Sequence, residues 1–190
     1  TVLDEKNKRR LNYIISNVEI ANKIIKNLLN FATPESLEYS NVNLSDMLNG
    51  VLDGVEARCK SSNIKIEREI PEDMALLNLD KLKLENVFMN FIANSIESMN
   101  SGGTLKVKVI EDKYKNEVSI NIADTGIGIP EGNLDKILEP FFTTKDDGVG
   151  LGMGLSYQTI KLHKGKFNIK SAVGTGTEIN VKLPIKNRTE

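Results

Sequence analysis

The chain has 190 residues, of which 39% are hydrophobic and 27% are charged, and its formal net charge is −1. This apolar content is enough for a folded core and excludes a disordered chain. The near-neutral charge argues against a general nucleic-acid binder or an anionic-membrane binder, because both usually carry a basic excess. No apolar run approaches the roughly 18 residues that a membrane span needs.

The ends and the cysteine content bear on processing and compartment. The chain begins with Thr1 rather than Met and shows no signal-peptide pattern, so we interpret it as an excised fragment. Its single cysteine, Cys59, excludes an internal disulfide and suits a reducing compartment. We therefore expect a cytoplasmic location, with membrane attachment of the full-length protein left open.

The first predicted element is a long helix over residues 8–32, ended by Pro34. Its apolar residues alternate at spacings of three and four, which is the pattern of a heptad seam: Leu11, Ile14, Val18, Ala21, Ile25, Leu28 and Ala32. Because such a stripe must be buried, we interpret the helix as an arm of a helical bundle and a candidate dimer contact. The alternative is a helix that lies on its own domain's core.

A polar linker over residues 35–43 and then a mixture of helices and strands are predicted next. Further helices are predicted over 45–59 (N-cap Ser45), 81–99 (N-cap Asp80) and 153–163. Strands are predicted at 64–66, 74–79, 105–110, 118–122, 167–170 and 177–183. Because helices and strands do not alternate regularly, we expect an α+β two-layer α/β sandwich, a mixed sheet with helices on one face.

Two segments carry polar residues beside apolar elements. Asn90 and Asn94 share one face of the third predicted helix, and an amide oxygen such as that of Asn94 is a ligand suited to Mg²⁺; the alternative is a pair of solvated asparagines. Asp124 follows an apolar strand and could accept a hydrogen bond from an exocyclic amine, while Gly126 and Gly128 let the backbone approach a flat ring. The same residues also suit an ordinary turn, so the choice stays open on this segment alone.

Two further segments lie in predicted loops. Phe141 and Phe142 could anchor a hinged loop in which Lys145 reaches a phosphate, or could simply be buried beneath a surface loop. The run Gly148–Gly154 precedes a helix, whose N-terminal N–H groups and dipole favour phosphates. It is neither a Walker A motif, because no Gly-Lys-Ser/Thr follows, nor a dinucleotide fingerprint, because no strand precedes it.

In this order, the four segments resemble the N, G1, F and G2 boxes of sensor histidine kinases, in the superfamily that also holds gyrase, Hsp90-type chaperones and MutL. The run Val173–Thr177 resembles the last box, and the resemblance covers about residues 43–184. It implies a Bergerat-type ATP-binding fold preceded by one long helix. Residues 39–190 are then expected to form the catalytic ATP-binding domain, and residues 1–38 the incomplete second helix of the dimerisation and phosphoacceptor hairpin.

The resemblance also implies a role for each site residue. Asp124 is expected to bind the adenine amino group, with Thr177 supporting it, and Asn94 to ligate Mg²⁺ beside Asn90. The two expected catalytic residues are Asn90 and Lys145. We hypothesise that Lys145 contacts the γ-phosphate. The other expected contacts with ATP come from the pocket and a mobile lid: Gly126, Gly128, Phe141, Phe142, Gly148, Gly150, Leu151, Gly152 and Met153.

Two positions bear on the type of reaction. Hydrolysing members of the superfamily have a Glu four residues before the Mg²⁺ Asn, as general base for water, where this chain has Asn90; this favours a kinase over an ATPase. Many histidine kinases have a Lys three residues after that Asn, where this chain has Glu97. The run Asn94–Met99 instead resembles the nitrogen- and oxygen-sensing subgroup, so another group, with Lys145 as candidate, must supply positive charge.

The only histidine, His163, matches a structural histidine at the end of the helix after G2. We therefore expect a protein histidine kinase whose phosphoacceptor histidine lies outside this fragment, which should not phosphorylate itself. The expected partners are ATP or ADP, the phosphoacceptor helix of the same or a partner kinase chain, and a response regulator. A homodimer is expected for the full-length protein, with no contact of this fragment to nucleic acid or membrane. The alternatives are a serine-directed kinase of the anti-sigma type and a non-catalytic nucleotide-sensing module.

Overall fold

The computed structural model describes residues 4–15, 17–18, 36–145 and 148–185. The chain forms two compact units, Thr1–Ser36 and Leu37–Glu190. In the first unit, residues 5–15 and 17–18 are helical and form α1, on which the seam residues Leu11, Ile14 and Val18 are about half exposed. The rest of the seam, at residues 21–32, lies outside the described residues. The bundle arm and the domain boundary at residue 38 therefore stay predictions.

The second unit contains seven strands and four helices in its described part. In chain order they are β1 (Ser40–Val42), α2 (Leu44–Ser61), β2 (Ile64–Glu69), β3 (Leu77–Leu79), α3 (Lys81–Ser98), β4 (Gly103–Asp112), β5 (Glu117–Asp124), α4 (Glu131–Leu134), α5 (Gly152–Leu162), β6 (Lys166–Ala172) and β7 (Gly176–Pro184). None of the helices in the described ranges has both the length and the apolar character needed to cross a bilayer.

Five strands form the main sheet, in the order β2–β4–β5–β7–β6. β2 and β4 are parallel and the other neighbours are antiparallel, so the predicted mixed sheet is confirmed. β1 and β3 pair separately in a small antiparallel sheet. The register places Asp124, the last residue of β5, between Leu105 of β4 and Thr177 of β7. This carboxylate therefore lies at the end of the central strand.

The core lies between the sheet and the helices. Alternate residues of β5 (Val118, Ile120 and Ile122) are buried, as the two-residue period of a strand requires. On α3, Phe88 and Phe91 are fully buried at the three-residue spacing that places side chains on one helix face. Each such side chain contributes about 1.5–3 kcal/mol relative to an exposed one. This apolar layer fixes α3 against the end of β5, where the site residues converge.

Some local predictions were wrong. The N-cap of α2 is Asn43, whose Oδ1 accepts the Ser45 and Asp46 amides at 3.0 and 3.2 Å, whereas Ser45 Oγ donates to Pro71 O at 2.5 Å. The predicted linker contains β1, because pairing with β3 satisfies its backbone. In contrast, Asp80 caps α3 as predicted, with its Oδ1 3.1 Å from Lys83 N.

Candidate functional site

The Asp124 carboxylate is held by one of its oxygens. Its side chain is largely buried, at 8% exposure, and Oδ1 accepts hydrogen bonds from Gly126 N at 2.9 Å and Thr177 N at 3.2 Å, with Ser98 Oγ also at 3.2 Å. The other oxygen, Oδ2, has no hydrogen-bond partner among the described residues. Every fully buried side-chain oxygen of those residues does have a partner, so Oδ2 is not fully buried and reaches solvent. The carboxylate is thus fixed in place with one acceptor oxygen available.

Glycines let the loop after β5 pack against the chain itself. A Cβ atom on Gly126 would lie 2.8 Å from Ser98 O, at the end of α3. Gly128 has φ of +71°, and a Cβ there would lie 2.7 Å from the carbonyl carbon of Ala172 in β6. Both distances are too short for a side chain. The glycines predicted to approach a flat ring therefore serve first to bring this loop against α3 and β6.

Thr177 reaches Asp124 through its backbone. Its amide makes the 3.2 Å bond to Oδ1, whereas its hydroxyl lies 2.9 Å from Ser171 Oγ. The predicted support of Asp124 by Thr177 is therefore a main-chain hydrogen bond, and the side chain has a different partner. That partner was not among the predicted site residues.

Asn90 and Asn94 lie against the start of α5. Both amide nitrogens face the sulfur of Met153, at 3.9 and 3.6 Å, and Asn90 Nδ2 also donates to Ser156 Oγ at 3.1 Å. A Cβ on Gly152 would lie 3.0 Å from Cγ of Asn90, so only glycine leaves room for that asparagine here. The structure thus brings the predicted asparagine face and the predicted glycine segment together.

The N-terminus of α5 has no side-chain cap. Leu151 is the N-cap residue and is buried, and the first helical bond runs from Leu155 N to Leu151 O at 3.0 Å. The preceding Gly150 has φ of +70°, and a Cβ there would lie 2.6 Å from Phe142 O. Uncapped amides at a helix N-terminus favour an anion. The predicted phosphate segment has the geometry for that role.

Lys145 joins the loop before α5 to helix α3. Its Nζ donates to Asn94 Oδ1 at 2.8 Å and to Glu97 Oε2 at 2.5 Å, and Arg58 Nη2 lies 3.3 Å from Glu97 Oε1. Burial raises the pKa of Glu97, but its bonds to Lys145 and Arg58 outweigh this and hold that pKa below its ordinary value. The Asn94 oxygen thus accepts a hydrogen bond from an ammonium group, and its ligation of Mg²⁺ stays a prediction.

The two phenylalanines of the predicted lid differ in exposure. Phe141 is 60% exposed and has φ of +68°, a conformation rarely adopted by a bulky residue, whereas Phe142 is half-buried. Later in the same predicted lid, Gly148 N donates a hydrogen bond to Lys145 O at 3.1 Å. Neither phenylalanine is buried beneath the loop, and a role for either in covering a nucleotide stays a prediction.

His163 is a buried structural residue. Its Nδ1 lies 2.8 Å from the Thr159 carbonyl, which can only accept, so Nδ1 carries the proton and Nε2 accepts the Asp80 amide at 3.0 Å. With both ring nitrogens bonded and 2% exposure, the imidazole is unsuited to accept a phosphoryl group. This agrees with the structural role that the sequence predicts.

Neither a metal cluster nor two other surface grooves in the described part of the chain offers a competing site. Across the described ranges, no group of three or more His, Cys, Asp or Glu side chains could hold a metal ion. One surface groove lies along α1, and another, of about 250 Å³, lies beside Asn43 and Lys81. Neither includes Asp124 or Asn94. The convergence of β5, α3 and the start of α5 remains the candidate site.

Sequence comparisons agree with this geometry. Residues 79–187 match the family described as "Histidine kinase-, DNA gyrase B-, and HSP90-like ATPase". The chain is 31% identical over 179 residues to Sporulation kinase E of Bacillus subtilis (strain 168), covering 94% of this chain and 24% of that protein. It is 28% identical over 175 residues to the Signal transduction histidine-protein kinase AtoS of Escherichia coli (strain K12), covering 92% and 29%. It thus spans under a third of either relative.

Solved structures share the fold. The catalytic domain of histidine kinase ThkA, in a nucleotide-free form, is 28% identical with a TM-score of 0.68, covering 78% of this chain and 97% of that domain. Full-length ShkA, solved in complex with AMPPNP, has a TM-score of 0.84 at 20% identity, covering 100% of this chain and 41% of ShkA. With the family match extending over more than half of the residues, the chain belongs to the family of histidine kinase-, DNA gyrase B- and HSP90-like ATPases.

Proposed function

We propose that residues 39–190 are the ATP-binding catalytic domain of a two-component sensor histidine kinase, which transfers the γ-phosphate of Mg²⁺·ATP to a histidine other than His163. The observation that carries the proposal is the Asp124 carboxylate, held through Oδ1 and with Oδ2 available. An adenine amino group is a donor of the kind that such an oxygen accepts. The relatives' names and the ATPase family support this assignment.

The opposite end of the site suits the phosphates. The uncapped amides at Gly152 and Met153 can donate hydrogen bonds to an anion, and Lys145 supplies a positive charge nearby. Asn94 Oδ1 is the proposed protein ligand of Mg²⁺, which when bound neutralises charge on the phosphates. Because Asn94 is a single ligand, the nucleotide itself must supply much of the metal's coordination.

The groups around Asn94 favour transfer to a protein over hydrolysis. The Asn90 amide cannot take a proton from water, and it is committed to Ser156. Glu97 is the nearby carboxylate, but it bonds Lys145 and Arg58, which lower its pKa and make it a weaker base. Among the described residues, neither Asn90 nor Glu97 is therefore suited to activate water, and the site is suited to hold ATP until another nucleophile arrives.

Four measurements test the proposal. Titration calorimetry should show Mg²⁺-dependent binding of ATP and ADP, and ATP hydrolysis by the chain should be slow. Labelled ATP should transfer phosphate to a separately supplied phosphoacceptor helix and leave this chain unlabelled. The phosphoryl group on that helix should be acid-labile, as on histidine, and not acid-stable, as on serine. Binding without transfer would favour the nucleotide-sensing module, and acid-stable label on a protein substrate would favour the serine-directed kinase.

The partners follow from the same proposal. We propose that the whole protein is a homodimer that passes phosphate to a response regulator and that its phosphoacceptor helix belongs to the same or a partner kinase chain. The exposed apolar side of α1 supports the dimer, because Leu11, Ile14 and Val18 are available for a helical partner. Sedimentation of a chain that includes both hairpin helices tests the dimer, and a monomer would contradict it.

A further inference from the structure

We propose that Ser171 is a positioning residue of the adenine end of the site. Its hydroxyl joins the loop after β5 to the start of β7 and thereby holds Thr177, which in turn holds the Asp124 carboxylate. The inference rests on the proposed function, because it assigns Ser171 a part in adenine recognition. Ser171 itself does not contact Asp124 and acts through Thr177 and the loop.

The Ser171 hydroxyl makes all the hydrogen bonds that it can. It accepts the Ile129 amide at 2.8 Å, donates to Gly176 O at 2.8 Å, and lies 2.9 Å from the Thr177 hydroxyl. A hydroxyl offers one donor and two acceptor positions, so Thr177 donates in the last of these bonds. One hydroxyl of β6 thus joins two other segments: the loop after β5, through Ile129, and the start of β7, through Gly176 and Thr177.

The loop after β5 and the turn between β6 and β7 already approach as closely as their backbones permit. Gly174 N donates to Ile127 O at 2.8 Å, and Gly128 packs against Ala172 with no room for a side chain. Gly176 has φ of +111°, and a Cβ there would lie 2.8 Å from the carbonyl carbon of Asp124. Such packing transmits a displacement of one segment directly to the other. The Ser171 hydroxyl adds side-chain hydrogen bonds to these backbone contacts.

Loss of the Ser171 hydroxyl should therefore change the orientation of the Asp124 carboxylate. Without it, the Ile129 amide has no partner from this side chain and the Thr177 hydroxyl is released. Thr177 donates its amide to Asp124 Oδ1, so a shift of Thr177 changes the direction in which Oδ2 points. The expected result is a loss of selectivity for the amino group of adenine, beyond any general loss of stability.

The test compares binding of ADP with binding of IDP, whose base carries an oxo group in place of the amino group. By calorimetry, Ser171→Ala should bind ADP about tenfold more weakly than the wild-type chain, with a much smaller change for IDP. Ser171→Thr keeps the hydroxyl and should restore the preference for ADP. If Ser171→Ala does not fold, Ser171→Cys, which keeps the volume but bonds weakly, is expected to show the same loss.

Ser119→Ala is the matched control. Ser119 is also a half-buried serine of the main sheet, and it lies on β5 well before Asp124. Its Oγ accepts a hydrogen bond from Asn180 Nδ2 at 2.9 Å. This variant should keep the ADP preference. An equal loss of ADP and IDP affinity in Ser171→Ala, or unchanged ADP affinity, would overturn the role of Ser171 alone. Failure of the wild-type chain to bind ADP would overturn the proposed function itself.

Discussion

The two ends of the candidate site are built differently. At the proposed adenine end, Asp124 is held by backbone amides, and Gly126 and Gly128 lie against backbone atoms of neighbouring segments. At the proposed phosphate end, Asn94 and Lys145 meet through side chains, and Lys145 is about half exposed. Backbone contacts between packed elements are hard to change, whereas exposed ion pairs are screened and easily exchanged.

This difference matches what a kinase must do with its nucleotide. The base is the same in ATP and ADP, so a rigid acceptor can recognise it throughout the reaction. The phosphates and the metal change during the reaction, so the groups around them must release and rebind. If Asn94 ligates Mg²⁺ as proposed, the metal would replace the contact of Lys145 with Asn94 Oδ1. We therefore expect substitutions at the two ends to have separable effects.

The largest expected effect is that of Asp124→Asn on ADP affinity. An amide can still accept at the position of Oδ1, but its NH₂ group would face the amino group of adenine, donor against donor. The loss should be about 2–3 kcal/mol, or roughly 30- to 150-fold in Kd by calorimetry. Equal affinity of mutant and wild-type chains, both folded by circular dichroism, would refute the assignment of Asp124.

Gly128→Ala should lower stability at the rigid end. Its φ of +71° is unfavourable for alanine, and the new Cβ would meet backbone atoms of Ala172 that cannot move aside. We expect a loss of about 1–3 kcal/mol, seen as a fall of several degrees in Tm. Gly132→Ala, in α4 with open space around it, is the control and should not lower Tm.

Gly152→Ala should affect binding more than folding. The new Cβ would meet the side chain of Asn90, which can rotate away, so Tm should change by less than about 2 °C. The displaced asparagine disturbs the phosphate end, so ATP affinity should fall by roughly fivefold, or about 1 kcal/mol. A large fall in Tm with unchanged affinity would contradict the contrast between the two ends.

Lys145→Met should separate ATP from ADP. If Nζ contacts the γ-phosphate, the variant should bind ATP about fivefold more weakly and ADP nearly as well as the wild-type chain. Lys113→Met, in the turn between β4 and β5, removes an exposed lysine elsewhere and should change neither. Parallel losses for both nucleotides, measured by calorimetry, would place Lys145 away from the γ-phosphate.

The smallest expected effect is that of Glu97→Gln on stability. The pKa of Glu97 is lowered in the folded state, so its ion pairs stabilise the fold above the ordinary carboxyl pKa, and this contribution disappears as pH falls through the lowered value. Because the pair is partly exposed, the difference in unfolding free energy at pH 7 should be about 0.5 kcal/mol or less. Urea unfolding at pH 7 and at progressively lower pH should show the difference shrinking as the pH falls below the ordinary carboxyl pKa.

Much of this architecture could be predicted from local pattern. The apolar face of α3, its Asp80 cap and the strand that ends at Asp124 follow from spacing and residue type. The Asn43 cap was missed because Ser45, two residues later, is an equally good capping residue. β1 was missed because a short polar strand has no pattern of its own and exists by pairing with β3.

Ser171 and Ser98 show why part of the site could not be predicted. Both are ordinary serines, in β6 and at the end of α3, and each has a hydrogen-bond partner distant in sequence: Asp124 for Ser98 and Ile129 for Ser171. Ser171 lies opposite Thr177 across a tight turn, but its bond to Ile129 depends on the position of another loop. Such hydrogen bonds are set by three-dimensional packing.

The sequence by itself determined most of the helices and strands, the mixed character of the sheet and the residue types that the chemistry needs, because period, capping and glycine content act over a few neighbouring residues. Only the tertiary structure decided how those residues are held. It assigned one oxygen of Asp124 to the backbone and left the other available, and it brought Lys145 onto Asn94 and Glu97. These contacts join segments far apart in the chain, so their geometry depends on the packing of the sheet against α3 and α5.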